Sequence, residues 1–414
     1  MSNSIIIKSY FLLFFITSFD IVFDENIPIP ALYSTLKIFD EVYIILLFIY
    51  TICTTKLRNN NNVLYLVLIF FIVGAIGNYI SNSSLKVTLL GSYSTIKSIL
   101  LFWSLSQYDF TWDDFSCLKK MIMTLFPIVA ISYLLDILIP TFRQDIGIVS
   151  QAEGIRMGIR SLGGLFNRFT NATLFALLFY IFSNYYFEEK KQKYKPLMSI
   201  FMFFSTLKVK DILGFIIAYL TSRFNTIKIK HLVITIIVLY MFFILYQILM
   251  PEHYDEYFNS DGDGNVARVV LVYTSIQILL NNFPFGVGFG MFASPTSQQI
   301  ESPIYQHYNI DNVYGLNYDA DGGCFMSDTF WPMIFGETGV LGTIIYVIIL
   351  YKVFGHFIIG FFNNTSDKRY IMPAFIFLVF LGASIGKPVF TGPPHCLAVW
   401  GIAGIFSSLS KKNI

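Results

Sequence analysis

The residues best suited to chemistry fall in two polar intervals of opposite character. Within residues 141–168, Arg143, Arg156, Arg160 and Arg168 stand against Asp145 and Glu153. A guanidinium offers a fork of donors that matches phosphate oxygens and does not lose its charge, so such a cluster suits a phosphate or pyrophosphate head group. The plainer alternative is a solvated loop whose arginines pair with nearby acids or anionic lipid. Residues 251–330 carry Glu252, Asp255, Glu256, Asp261, Asp263, Glu301, Asp311, Asp319, Asp321 and Asp328 against the single cation Arg268, a formal charge of −9. Tyrosines and phenylalanines are interleaved with these acids. Carboxylates accept sugar hydroxyls while aromatic faces meet the apolar faces of sugar rings, so saccharide binding is one reading of this interval. The other is that the aromatics form the segment's own core or an interfacial belt.

Three side chains are candidates for proton transfer. Asp328 lies in Ser327-Asp328-Thr329-Phe330, which leads directly into an apolar run, and Glu337 follows two turns into that run. A carboxylate at such a depth is costly and by default marks a site or a buried pair. His307 is the better general-base candidate of the two histidines in residues 251–330, His253 being the other. Metal chemistry finds little footing. Asp261-Gly-Asp263-Gly-Asn265 begins like a calcium loop, but Val266 and Val272 stand where the glycine and the closing acid belong. The Asp319-Ala-Asp321 pair lies outside any α/β pattern. No metal and no cofactor is expected. The cysteines, Cys53, Cys117, Cys324 and Cys396, read as isolated thiols; only the last two fall on one side of the membrane and could pair.

The elements that must hold these residues are membrane helices. Hydrophobic side chains make up 55% of the chain, charged ones 13%, and the mean hydropathy is +0.63, which excludes a soluble globular domain or a disordered chain. Runs of about 20 mostly apolar residues predict spans near 5–23, 38–54, 63–80, 86–105, 119–139, 169–187, 231–250, 331–354, 371–387 and 391–409. The first has no cleavage site and reads as a retained span. Residues 196–224 hold Lys208, Lys210 and Asp211 at their middle and lysine or arginine clusters on both flanks. Two short helices meeting at those charges put both clusters on the same face, as the positive-inside rule requires. The expected fold is therefore an all-α polytopic membrane protein of about twelve transmembrane helices, forming a single domain over residues 1–414. Its one large outer loop, 251–330, lies between helices nine and ten, and both termini are cytoplasmic. That orientation places 17 of the 28 basic residues inside. Residues 266–280 are short and carry Arg268 in their first turn, fitting an interfacial or re-entrant helix. No internal repeat is visible, which counts against a repeat-built transporter.

Several segments resemble the family of O-antigen polymerases and O-antigen ligases, multispanning glycosyltransferases of the bacterial inner membrane. They are Arg160-Ser-Leu-Gly163-Gly164-Leu-Phe166-Asn167 with Asn171; Ser205-Thr-Leu-Lys208; Arg268 followed by Pro284-Phe-Gly286-Val-Gly288-Phe-Gly290-Met-Phe292; and Gly336-Glu337-Thr-Gly339-Val-Leu-Gly342. The resemblance covers roughly residues 155–350. It implies that Arg268 and a basic residue of the short-helix region, Lys208 or Lys210, contact the donor pyrophosphate. Ligases of the family carry a histidine shortly before the helix that opens with Glu-x-Gly-x-x-Gly. Here Ser327 and Asp328 stand at that place, which favours a polymerase.

The expected activity is the joining of undecaprenyl-pyrophosphate-linked oligosaccharides at the periplasmic face, without metal. Arg268, Arg160, Arg156, Lys208 and Lys210 would clamp the pyrophosphate, and Asp328, Glu337 or His307 would act as base or hold the acceptor. A chain-length regulator and membrane lipid are expected partners, and nucleic acid is not. A ligase using lipid A core as acceptor and a lipid-linked oligosaccharide flippase are the rivals.

Overall fold

The computed structural model describes residues 3–19, 38–55, 61–148, 155–156, 159–186, 193–223, 241, 244, 267–317, 325–364 and 367–411. Helices dominate. In chain order they are α1 (Asn3–Ser18), α2 (Phe39–Thr54), α3 (Asn61–Ile80), α4 (Leu85–Ser106), α5 (Trp112–Thr124), α6 (Phe126–Leu138) and the single turn α7 (Phe142–Asp145). A two-residue ribbon follows, β1 (Ile155–Arg156) paired antiparallel with β2 (Ile159–Arg160). Next come α8 (Phe169–Ile181), extended by a π turn to Tyr186, then α9 (Tyr194–Ser205), α10 (Val209–Ser222) and α11 (Ala267–Asn281). The turns α12 (Pro295–Gln299) and α13 (Ile304–His307) lead to α14 (Trp331–Asn363) and α15 (Lys368–Ala383), and a π segment (Leu397–Gly401) runs into α16 (Ile402–Lys411).

Among the described residues five helices are long and apolar enough to cross a membrane: 62–80, 85–106, 112–138, 331–363 and 368–386. The all-helical membrane character expected from composition holds at that level. The span expected at 231–250 lies almost wholly outside the described residues. The span expected over 119–139 is present within the single run 112–138, which kinks at Leu125 between α5 and α6. Pro127, in the first turn of α6, cannot donate the amide bond that would continue α5. The break expected near Lys208 is present, between α9 and α10, with Leu207 at φ 52°. Phe203 and Phe204 of α9 lie 4.8 and 5.8 Å from Phe215 of α10, ring to ring, so the chain folds back on itself there.

At the centre stands α8, buried at every position from Asn171 to Ile181. Phe175 stacks on Phe14 of α1 at 5.4 Å, and Asn171 donates to the Ser18 carbonyl at 3.0 Å. Around it α9 packs on α8, α10 on α15, and α14 on α3, α11 and α15. The described part of the segment after α11 packs into the helices. Phe289 is fully buried between Phe70 and Phe71 of α3, at 5.4 and 6.4 Å. Phe292 stacks on buried Tyr305 at 5.7 Å. These aromatics, candidates for sugar contact in the sequence, are core side chains instead.

Candidate functional site

The site is framed by two backbone segments that interlock. Residues 284–292 cross the start of α14, where Val287 N donates to Gly336 O at 2.9 Å, Gly288 N to Glu337 O at 2.8 Å, and Leu341 N to Pro284 O at 3.2 Å. Gly339 takes φ 61° and ψ −162°, which breaks α14 and opens its backbone to those bonds. A Cβ on Gly286 would fall on Gly336 O, and one on Gly339 would fall on Pro284 O, so the two glycine runs fit only each other. Asn78 of α3 closes the other side. Its amide receives Phe289 N–H and donates to Phe289 O, both at 2.8 Å.

Glu337 belongs to this frame. Its side chain is 1% exposed, and its carboxylate accepts from the Phe292 amide at 3.4 Å, with the Gly290 and Met291 amides and the Ser294 hydroxyl beside it. Expected as a base or acceptor ligand, it is turned instead onto the 290–294 backbone. That role was not legible in the sequence, because its partners lie more than forty residues away.

Four elements bring charges together beside the frame. Arg268, in the first turn of α11, donates from Nη2 to Asp328 Oδ2 at 2.7 Å, their side chains being 34% and 37% exposed. Lys210, in the first turn of α10, lies within charge range of Arg268, Asp328, Asp211 and Lys387. Its ammonium rests where a Cβ of Gly386 would sit. Lys387, just after α15, pairs through Nζ with Asp211 Oδ2 at 2.5 Å. Trp331 Nε1 donates to Ser384 Oγ at 2.8 Å, tying the start of α14 to the end of α15 and so Asp328 to the neighbourhood of Lys387. His395, buried and bonded to the Thr170 carbonyl at 3.1 Å, is within charge range of Lys387, Asp211 and Arg168. Three cations thus share a partly open place with two carboxylates. A pair as exposed as Arg268–Asp328 contributes no more than about 1 kcal/mol, so a multiply charged anion can displace Asp328 from the guanidinium.

The arginine-rich interval divides in two. Asp136 of α6, 0% exposed, accepts from the amides of Gly163 and Gly164 at 2.9 Å each and faces Arg160 Nη1 at 3.0 Å. Arg160 also donates to the Pro140 and Asp136 carbonyls. Arg143 is buried and donates to the Phe166 and Asn167 carbonyls; burial pulls its guanidinium below the ordinary value. Arg160 ties the interval to α6 and Arg143 ties α7 to the interval's far end, so for Arg160 the pairing alternative describes its setting better than a pyrophosphate clamp. Lys208 lies over the Phe169 ring at 5.7 Å, and Arg143 over the same ring at 4.7 Å.

Of the remaining expected residues, His307 is exposed at the end of α13, edge-on to Tyr308 at 5.0 Å. Arg156 pairs with Ile159 through its backbone, and its side chain lies outside the described residues. The Asp261 to Asn265 motif, the Asp319–Asp321 pair, His253 and Cys324 also lie outside them; Cys53, Cys117 and Cys396 are free thiols. Sequence reasoning missed Lys387, His395 and the site role of Asp211. The signal for Lys387 existed. It is a lysine at the end of the expected 371–387 span, on the side opposite the cytoplasmic termini, where the positive-inside rule expects few cations. No family model matches the chain, and no curated protein matches it.

Proposed function

We propose that the protein is a polysaccharide polymerase that joins polyprenyl-pyrophosphate-linked repeat units at the outer face of a bacterial inner membrane. The observation that carries this reading is the convergence of Arg268, Lys210 and Lys387 with Asp328 at one partly open place beside apolar helices. Transfer of a glycan from a lipid diphosphate needs negative charge stabilised on the leaving oxygen and one proton removed from the acceptor. In the proposed step an acceptor hydroxyl attacks the donor's anomeric carbon. The new C–O bond forms as the bond to phosphate breaks, and the bond's electron pair leaves with the polyprenyl diphosphate. Arg268 and Lys210 hold the diphosphate. As phosphate takes over the guanidinium, Asp328 is released from its ion pair and receives the hydroxyl proton.

The test is deletion of the gene followed by gel analysis of lipopolysaccharide. Loss of a polymerase leaves core bearing a single repeat unit, loss of a ligase leaves core with none, and a normal ladder rejects both. Complementation with Arg268→Ala should restore inserted protein without the ladder, a loss of about 10²-fold or more for a group stabilising transition-state charge.

A further inference from the structure

Asp211 and Lys387 stand 176 positions apart, and their pairing is the least expected contact of the site. Asp211 opens α10 and is 0% exposed; its Oδ2 meets Lys387 Nζ at 2.5 Å, while its Oδ1 has no hydrogen-bond partner. Its sequence neighbour Lys210 reaches over Gly386, the residue before Lys387. The two elements are held in register by close contact, because a Cβ at Gly214 of α10 would fall on the Val379 backbone of α15. Two ammonium groups therefore flank one buried carboxylate. Asp211 is ion-paired to Lys387, Asp328 is ion-paired to Arg268, and among the described residues Lys210 forms no ion pair. A cation left uncompensated in a partly desolvated setting is costly unless an anion completes it.

We infer that Lys387 and Lys210 form a two-lysine clamp for one phosphate of a diphosphate ligand, and that Asp211 is the positioning residue that sets their spacing. This rests on the reading of the site as a diphosphate site. The guanidinium of Arg268 suits one phosphate through its planar fork, and two point-charge ammonium groups suit the other. Asp211 touches no ligand in this scheme. It anchors Lys387, which otherwise lies in a connection between helices, and keeps the positive charge from dispersing the two lysines.

The experiment uses the full-length protein in detergent, acylated with an N-hydroxysuccinimide ester with and without inorganic pyrophosphate, each lysine being followed by peptide mass spectrometry. Exposed Lys352 is the internal control. Saturating pyrophosphate should slow acylation of Lys387 and Lys210 by about tenfold or more through simple occupancy and leave Lys352 unchanged. Asp211→Asn should speed ligand-free labelling of Lys387 and abolish most of its protection, and Asp211→Glu should restore both. Equal labelling of Lys387 with and without pyrophosphate in the wild type overturns the clamp without relying on any variant's folding. Undiminished protection in Asp211→Asn overturns the positioning role. Protection of Lys387 in a protein that transfers glycan from no polyprenyl-diphosphate donor would leave the clamp standing and remove the polymerase reading.

Discussion

Glu337 offers a sharp division between a catalytic and an architectural carboxylate. It is 1% exposed, accepts from the Phe292 amide and lies beside the amides of Gly290 and Met291 and the Ser294 hydroxyl. Replacing it with alanine removes the acceptor that faces those donors in a dry interior, at about 1–3 kcal/mol for each donor left without a partner. Because the Phe292 contact is long, at 3.4 Å, the lower end applies, and Glu337→Ala should cost roughly 3–5 kcal/mol in all. Glu337→Gln keeps a carbonyl oxygen in the same place and should cost no more than about 1–2 kcal/mol. The assay pairs thermal unfolding of the purified variants in detergent with the polysaccharide ladder they support in a deletion strain. The alanine variant should lose stability and ladder together, and the glutamine variant should keep most of both. If Glu337 were the base, glutamine would instead lower turnover by about 10²–10⁴-fold at unchanged stability. Either that result or an alanine variant as stable as the wild type would refute the architectural assignment.

The same frame yields further expectations. Asp136→Ala removes the acceptor of the Gly163 and Gly164 amides and the partner of Arg160; it should cost about 3–5 kcal/mol, read as a lowered melting temperature, with Asp136→Asn milder because one oxygen remains for the amides. Gly91→Ala would push a Cβ into the Gly290 backbone and should destabilise by about 1–3 kcal/mol, whereas alanine at Gly147, with open space around it but φ +71°, should cost only about 1 kcal/mol. His307→Ala, at an exposed turn, should leave the ladder unchanged; its loss would return His307 to the catalytic set.

How far the fold was legible differs from element to element. The start of α4 falls where expected and has a local cause, whereas α5 starts at Trp112, before the expected 119, under a local cap that the expected span left out. Ser84 accepts from the Val87 amide, and Thr111 and Asp114 form a reciprocal capping box. The break between α9 and α10 was visible as charge in the middle of an apolar run, and the glycines of 286–290 and 336–342 announced close backbone approach without saying to what. The large segment before α14 misled. Its acids and aromatics suggested saccharide binding in an outer loop, yet its described part threads into the bundle, because Phe289, Phe292 and Tyr305 gain more from burial than from solvent.

What the sequence by itself determined is the membrane setting, the helical class, most helix ends and the presence of cations where anionic lipid chemistry is expected. These follow from composition, period and capping, all local along the chain. What only the tertiary structure decided is which charge meets which. Arg268 met Asp328 across 60 positions, Lys387 met Asp211 across 176, and Arg160 was claimed by Asp136 across 24. Charge and hydrogen-bond capacity are properties of a residue, but partnership depends on distance and burial in three dimensions. Packing of α10 on α15 and the crossing of residues 284–292 over α14 set those distances, and no pattern along the chain encodes them.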